Sequence, residues 1–157
     1  MKIAEAATEF LNQSRIAVTG VSSKPEGHGS NAVYTRLRER GYTVFAVNPN
    51  ATEVEGDATY QDLASIPGGV DAVVIATSAA HAPGTMREAA DMGIRYVWMH
   101  RSFGAGSVSE DATRIGRDAG ILVIDGGCPL MFGKASDGGH RMMCRMMKLT
   151  GKVPREV

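Results

Sequence analysis

A chain of 157 residues with 43% hydrophobic and 22% charged residues has the size and composition of one globular domain. Its 17 Lys and Arg residues balance 17 Asp and Glu residues, so no overall electric field favours nucleic acid. The two cysteines are too few for a disulfide framework, and no apolar run approaches the roughly 20 residues that cross a bilayer. We therefore predict a soluble, cytoplasmic protein with no membrane or nucleic-acid partner.

Helical and extended patterns alternate along the chain. Apolar residues at helical spacing predict helices over residues 3–12, 31–40, 60–66, 82–92, 110–119 and 138–149. Short apolar runs predict strands at residues 15–19, 42–47, 71–76, 95–99 and 121–125. We predict a single domain over residues 1–157, with a core at about 10–132 and a C-terminal helix at 138–149. Its predicted fold is α/β and Rossmann-like: a doubly wound parallel sheet of five strands, in the order 3-2-1-4-5, with helices on both faces.

The first crossover, residues 15–30, reads RIAVTGVSSKPEGHGS and is the stretch most typical of a ligand site. A short strand ends at Gly20, a loop of small residues follows, and a helix then begins. In such a loop, backbone N–H groups and the positive end of the helix dipole can hold phosphate without a charged side chain. Ser22 stands where the second glycine of G-x-G-x-x-G would be. A phosphate site and a plain strand-to-helix turn are both compatible with this pattern.

The end of the second predicted strand distinguishes between nucleotide ligands. A nicotinamide dinucleotide site usually carries an acid there, which hydrogen-bonds the ribose hydroxyls. This chain has Asn48-Pro49 instead, and its next carboxylate is Glu53. An ordinary NAD(P) site is therefore disfavoured.

Five segments, in order, resemble one protein family: VTGVSSKP, AVNPN, VVIATSAA, YVWMHRSFG and DGGCPLMFG. The sequence is similar to the CoA-binding domain family, small stand-alone relatives of the CoA-binding domain of succinyl-CoA synthetase α subunits. The resemblance extends from about Phe10 to Phe132. It departs from the synthetase subunits at Ala51-Thr52-Glu53, where they carry a lysine- and glycine-rich stretch, and it does not include their ligase domain.

The resemblance implies a coenzyme A site with four parts. CoA phosphates are expected at the first loop, on Gly20, Val21, Ser22, Ser23, Lys24, Gly29 and Ser30. The adenosine end is expected at Asn48 and Pro49, with Ala76, Thr77 and Ser78 on the opposite wall. His100 and Arg101 are expected to reach toward the pantetheine arm.

Cys128 follows the fifth predicted strand, where the family often carries a cysteine. It is either a thiol placed to form a mixed disulfide with CoA or a small buried apolar residue before a proline turn. His28, His81, His140 and Cys144 lack the spacing of metal ligands, and we predict no metal site and no catalytic residue.

We therefore predict a CoA- or acyl-CoA-binding protein, forming a homodimer or another homo-oligomer, without a complete catalytic apparatus. Two alternatives stay open: an NAD(P)-dependent oxidoreductase with an atypical loop, and a CoA-binding subunit of a larger acyl-CoA ligase.

Overall fold

A seven-stranded sheet lies between two layers of helices in the structure, a computed structural model that describes residues 1–157. The helices are α1 (Ile3–Leu11), α2 (Gly29–Glu39), α3 (Ala82–Asp91), α4 (Glu110–Asp118) and α5 (Gly138–Leu149). The strands are β1 (Arg15–Thr19), β2 (Thr43–Val47), β3 (Glu53–Val54), β4 (Asp57–Tyr60), β5 (Ala72–Ile75), β6 (Tyr96–Met99) and β7 (Leu122–Asp125). None of the helices combines the length and the apolar character that crossing a membrane would require.

The predicted α/β class is confirmed, but the predicted strand order is wrong. The sheet runs β3-β4-β2-β1-β5-β6-β7, and all neighbouring strands are parallel except β3 and β4. Among the five predicted strands this order is 2-1-3-4-5. The unpredicted strand β4 pairs with β2 and takes the place expected for the third predicted strand. For this reason β5 lies on the other side of β1.

The largest local difference between the predicted and the observed elements lies in the segment between β2 and β5. Residues 53–60 form a hairpin in which Glu53 pairs with Ala58 and Val54 with Asp57. The helix predicted over residues 60–66 is absent: Tyr60 ends β4, and turns follow. Leu63 and Ile66 are buried there, and the Ser65 N–H donates to Asp62 Oδ1 at 2.8 Å. Turns therefore bury the apolar residues whose spacing predicted a helix.

Alternating side chains of each central strand enter two separate cores. Ile16 and Val18 of β1 contribute to a cluster of 26 residues that also includes side chains of α1, α2 and α5. Ala17 joins a cluster of 15 residues that includes side chains of α3 and α4. All four residues of β5 are buried, as expected for a central parallel strand covered on both faces. These layers fix the carboxyl ends of β1, β2, β5 and β6 at one edge of the sheet.

Candidate functional site

Two adjoining cavities lie at the carboxyl ends of these strands. Between β1 and β5 the chain reverses the direction in which it builds the sheet, and ligands of open α/β sheets bind at such a switch point. The outer cavity, about 580 Å³, is lined by Thr19, Gly20, Ser22, His28, Val47, Asn48, Pro49, Asn50, Gln61, Asp62, Leu63, Thr77, His81, Gly84, Thr85 and Glu88. The inner cavity, about 300 Å³, is lined by Gly20, Gly27, His28, Gly29, Ser30, Ala76, Thr77, Ser78, His100, Ser102, Gly104, Gly106 and Ser107. Gly20, His28 and Thr77 belong to both walls, so the cavities form one continuous cleft.

The first loop, residues 20–30, is held in shape by one buried side chain. Asn31 is 3% exposed, and its Oδ1 accepts a hydrogen bond from the Ser22 N–H at 2.8 Å. Its Nδ2 donates to the Ser22 carbonyl at 2.8 Å and to Glu55 Oε1 at 2.9 Å. Ser30 Oγ also donates to the Gly20 carbonyl, at 2.8 Å. These contacts tie the loop to α2, to the end of β1 and to the β3–β4 hairpin.

This fixed loop presents several backbone donors that the protein does not use. The N–H groups of Val21, Ser23, Gly29, Ser30 and Asn31 have no acceptor within the chain. The last three open α2, whose N-cap residue His28 makes no capping hydrogen bond through its side chain. Unsatisfied N–H groups and the helix dipole together make such an end a favourable place for an anion.

The other helices differ in whether a side chain caps their N-terminus: α1, which lines neither cavity, has no side-chain cap at its N-cap residue Lys2. The N-terminus of α4 is capped by the Ser109 side chain and that of α5 by Asp137. The α3 helix lacks a side-chain cap, and its N-cap residue His81 lines the outer cavity. Both helices that begin at the cleft therefore lack a side-chain cap.

The outer cavity combines an apolar surface with polar groups that mostly have partners. Asn48 Nδ2 donates to the Val21 carbonyl at 2.9 Å, and Asn48 Oδ1 accepts from the Asn50 N–H at 2.8 Å. The Asn48 side chain therefore shapes the wall rather than offering a free amide. Glu88 Oε1 accepts from the Ala64 N–H at 3.1 Å. Hydrogen bonds from the Ser65 hydroxyl and backbone N–H hold the pKa of Asp62 below its usual value.

The inner cavity is lined by one largely buried histidine and by one buried hydroxyl that has no hydrogen-bonding partner. His100 is 8% exposed, and neither ring nitrogen hydrogen-bonds to another protein group. Burial lowers the pKa of His100 to about 4, so its imidazole is neutral at pH 7. Thr77 Oγ1 is also buried and has no hydrogen-bonding partner. The Ser107 hydroxyl donates to the Thr77 carbonyl, which joins the loop after β6 to the end of β5.

Most of the predicted site residues line this cleft. They are Gly20, Ser22, Gly29, Ser30, Asn48, Pro49, Ala76, Thr77, Ser78 and His100. The others lie outside both walls: Val21, Ser23, Lys24, Arg101 and Cys128. The Val21 side chain is in the core, Ser23 and Lys24 are exposed, and the Arg101 N–H donates to the Gly127 carbonyl at 2.8 Å.

Three groups of wall residues were not predicted, and one of them is Ser102, Gly104, Gly106 and Ser107 in the loop after β6. Gln61, Asp62 and Leu63 follow β4, and this strand was not predicted. His81, Gly84, Thr85 and Glu88 belong to the beginning of α3, directly after the predicted Ala76–Ser78 segment. The groups after β5 and β6 had a usable signal, since the segments that follow predicted parallel strands generally face the ligand edge.

Cys128 lies away from the cleft. It is 3% exposed and belongs to the core cluster under α1, α2 and α5. Burial raises the pKa of its thiol to about 12, the opposite of the lowering that a reactive thiol needs. This environment favours the interpretation of Cys128 as a small buried apolar residue.

Neither cysteine is expected to react measurably with a thiol reagent in the folded protein at pH 8. Burial raises the pKa of Cys144 as well, so both thiols are protonated and shielded. Counting modified thiols by mass spectrometry, before and after unfolding in urea, checks this. Two modifications are expected only in urea, and rapid modification of Cys128 in the folded protein would contradict the structure.

No group of three or more His, Cys, Asp or Glu side chains is placed to hold a metal ion.

The open parallel sheet, the uncapped helix and the cleft at the switch point define a nucleotide-binding α/β domain. The sequence profile of a family described as a CoA binding domain matches residues 14–134. The chain therefore belongs to the CoA-binding domain family, and the resemblance seen in its motifs is confirmed.

Individual relatives are similar over most of the chain. The protein YneT of Bacillus subtilis, described as uncharacterized, is 30% identical over 117 residues, covering 74% of this chain and 83% of YneT. A hypothetical protein from Pyrococcus horikoshii OT3 has 27% identity and a TM-score of 0.74, over 81% of this chain and 87% of that one. A dinucleotide-forming acetyl-coenzyme A synthetase 1 from Ca. Korarchaeum cryptofilum has 26% identity and a TM-score of 0.60, over 73% of this chain and 26% of the synthetase.

Proposed function

We propose that the protein binds coenzyme A or an acyl-CoA, with the diphosphate against the first loop. The observation that carries this proposal is the set of unpartnered N–H groups on a loop fixed by Asn31, of which those of Gly29 and Ser30 belong to residues that line the cleft. Backbone donors of this kind bind phosphate oxygens without a charged side chain. This matters here because no lysine or arginine lines either cavity. Lys24, the only lysine or arginine of the loop, is exposed and would meet phosphate from the solvent side.

The adenosine end is proposed to occupy the outer cavity, between Asn48-Pro49 and the beginning of α3. Leu63 and Val47 provide apolar surface for a base there, and the space of about 580 Å³ lies within the range of small-molecule sites. Glu53, the carboxylate nearest in sequence to the end of β2, lies exposed on β3 and lines neither cavity. The segment Ala51-Thr52-Glu53, which stands where the synthetase subunits carry a lysine- and glycine-rich stretch, therefore does not place its carboxylate in the cavity wall.

A binding role without catalysis is the form of the proposal that these residues support. The neutral His100 has no serine or cysteine hydrogen-bonded to it that could act as a nucleophile. A CoA-binding protein and an NAD(P)-dependent oxidoreductase are distinguished by one titration series with CoA, acetyl-CoA, NAD⁺ and NADP⁺. A response to a nicotinamide cofactor alone would replace this proposal by an oxidoreductase.

A role in the cytoplasm and a homo-oligomeric state are further parts of the proposal. Analytical ultracentrifugation of the purified protein measures the oligomeric state. Co-purification with a stoichiometric partner chain would favour the alternative of a subunit in a larger acyl-CoA ligase.

Ser22→Asp is expected to weaken CoA binding by about 100-fold. A carboxylate about 4 Å from a phosphate oxygen costs about 4 kcal/mol at an effective dielectric constant near 20, before salt screening reduces it. Titration calorimetry with CoA at pH 7.5 measures the change. Ala4→Asp is the control, since it adds the same charge on the exposed first turn of α1. Equal affinities for wild type and Ser22→Asp would place the phosphate elsewhere.

A further inference from the structure

The outward side of α5 carries a row of exposed apolar side chains. Met142, Met146 and Leu149 are 66%, 53% and 84% exposed, and successive members lie four and three residues apart, on one side of the helix. The opposite side already anchors α5, since Cys144 and Met147 are buried in the cluster of 26 residues. Contiguous apolar side chains left outside the core mark an interaction surface, and methionine adapts readily to the shape of a partner.

Two arginines accompany this apolar row without acidic partners in their own chain. Arg141 and Arg145 directly precede Met142 and Met146 in sequence, and both are exposed. No carboxylate of the chain forms an ion pair with either arginine. The Arg141 Nε donates to Ser136 Oγ at 2.9 Å, a neutral acceptor. A surface that fits this side of α5 therefore offers negative charge beside space for large apolar side chains.

The exposed side of α1 has this complementary character. It carries Glu5 and Glu9, four residues apart, with the small residues Ala4 and Thr8 beside them at the same spacing. Neither glutamate takes part in an ion pair within the chain. Four residues advance by about 6 Å along any α-helix, so the acidic row and the arginine row have the same repeat. The small side chains leave room for the methionines.

Both helices cover the same face of the sheet, because residues of α1 and of α5 belong to the cluster of 26 residues. A face that carries two complementary elements is self-complementary: in a twofold dimer, α5 of each copy meets α1 of the other. An anionic membrane would instead bring like charge against Glu5 and Glu9, which lie on this face together with the arginines. A second copy of the chain is therefore the occupant that the charges favour.

We propose that α1 and α5 form a twofold interface between two copies of this chain. In it, the apolar row of α5 packs on Ala4 and Thr8 of the other copy, and the two arginines lie beside its two glutamates. The inference rests on the homo-oligomeric part of the proposed function, and it is independent of whether CoA binds.

Met146→Glu tests the apolar part of the interface. Analytical ultracentrifugation from about 1 to about 100 μM gives the dissociation constant of the dimer, since association depends on protomer concentration. The variant is expected to weaken association at least thirtyfold, because it buries a carboxylate in the centre of the contact. Met92→Glu is the matched control: Met92 is also exposed, but it lies at the end of α3, whose residues pack on the other face of the sheet. Unchanged association in Met146→Glu would overturn the proposal.

Two charge-reversed variants test the pairing of the helices. One combines Glu5→Lys with Glu9→Lys, and the other combines Arg141→Glu with Arg145→Glu. Each variant alone sets like charges across both contacts, so its own dimer is expected to weaken at least tenfold. In a one-to-one mixture the reversed α1 meets the reversed α5, and the other contact keeps its wild-type charges. A mixed dimer within about tenfold of the wild-type affinity is expected.

The circular dichroism of each variant checks that the fold is retained, in particular for Glu5→Lys, because Glu5 accepts a hydrogen bond from the Lys2 N–H at 3.2 Å. No recovery in the mixture would overturn the pairing of α1 with α5. A wild type that stays monomeric at about 100 μM but sediments with phosphatidylserine vesicles would overturn the proposal in favour of a membrane surface.

The inference and the proposed function fail separately. A wild-type dimer that none of these variants weakens overturns this interface and leaves the proposed oligomeric state. A monomeric wild type overturns both, and the titrations with CoA test the proposed binding independently of either.

Discussion

Replacing Gly20 by alanine is expected to destabilise the fold by about 3–5 kcal/mol and to abolish the proposed CoA binding. Gly20 has a φ of +76°, in the left-handed region that side chains disfavour. A Cβ at this position would stand 2.7 Å from the Ala76 carbonyl oxygen and 3.0 Å from the Thr77 nitrogen. Both are backbone atoms at the end of β5, so they cannot move without shifting the strand. Urea unfolding followed by circular dichroism measures the loss.

Gly27→Ala is the matched control in the same loop. Its φ is +78°, almost the same as that of Gly20, but nothing lies within 4 Å of the position its Cβ would take. Only the conformational cost applies, and about 1 kcal/mol of destabilisation is expected. The difference in unfolding free energy between the two variants measures the cost of the close contact between Gly20 and the backbone at the end of β5. Equal losses in the two variants would show that no such close contact exists.

Asn31→Asp is expected to destabilise the protein by about 2–4 kcal/mol and to weaken CoA binding at least tenfold. The substitution keeps the acceptor for the Ser22 N–H but removes the Nδ2 donor to the Ser22 carbonyl and Glu55 Oε1. A carboxylate then faces a carbonyl oxygen and another carboxylate at a position only 3% exposed. The first loop is expected to open, which would move its unpartnered N–H groups away from their present positions.

The double variant Asn31→Asp, Glu55→Gln separates charge repulsion from the loss of shape. Its glutamine amide can donate to the new carboxylate, so about half of the lost stability is expected to return. Glu53→Gln removes a neighbouring negative charge without touching Asn31, because Glu53 is exposed on β3. The same recovery when Glu53→Gln is combined with Asn31→Asp would show a general charge effect rather than the contact with Glu55.

Cys128 and His100 illustrate how sequence predicts a position but not its chemistry. Both follow predicted strands at the ligand edge, and the resemblance assigned both to the CoA site. Cys128 belongs to the buried cluster on one face of the sheet, together with Trp98, Phe132 and residues of α1. His100 instead reaches the cavity, because the loop from Ser102 to Ser107 folds back over the end of β5. Which of the two faces the ligand depends on packing between segments distant in sequence.

The sequence by itself determined the alternation of helices and strands, the α/β class and the place of the first loop, because periodicity and glycine stops are local properties of a chain. The tertiary structure decided the strand order, since the short, polar strand β4 lies beside β2 through its pairing with residues 46 and 47 and through hydrogen bonds from Tyr34 and Arg38 of α2 to Asp57. That order in turn brings the loops after β1, β2, β4, β5 and β6 together at one edge. The walls of both cavities, the unpartnered state of His100 and Thr77, and the burial of Cys128 all follow from contacts between distant segments, which no local pattern encodes.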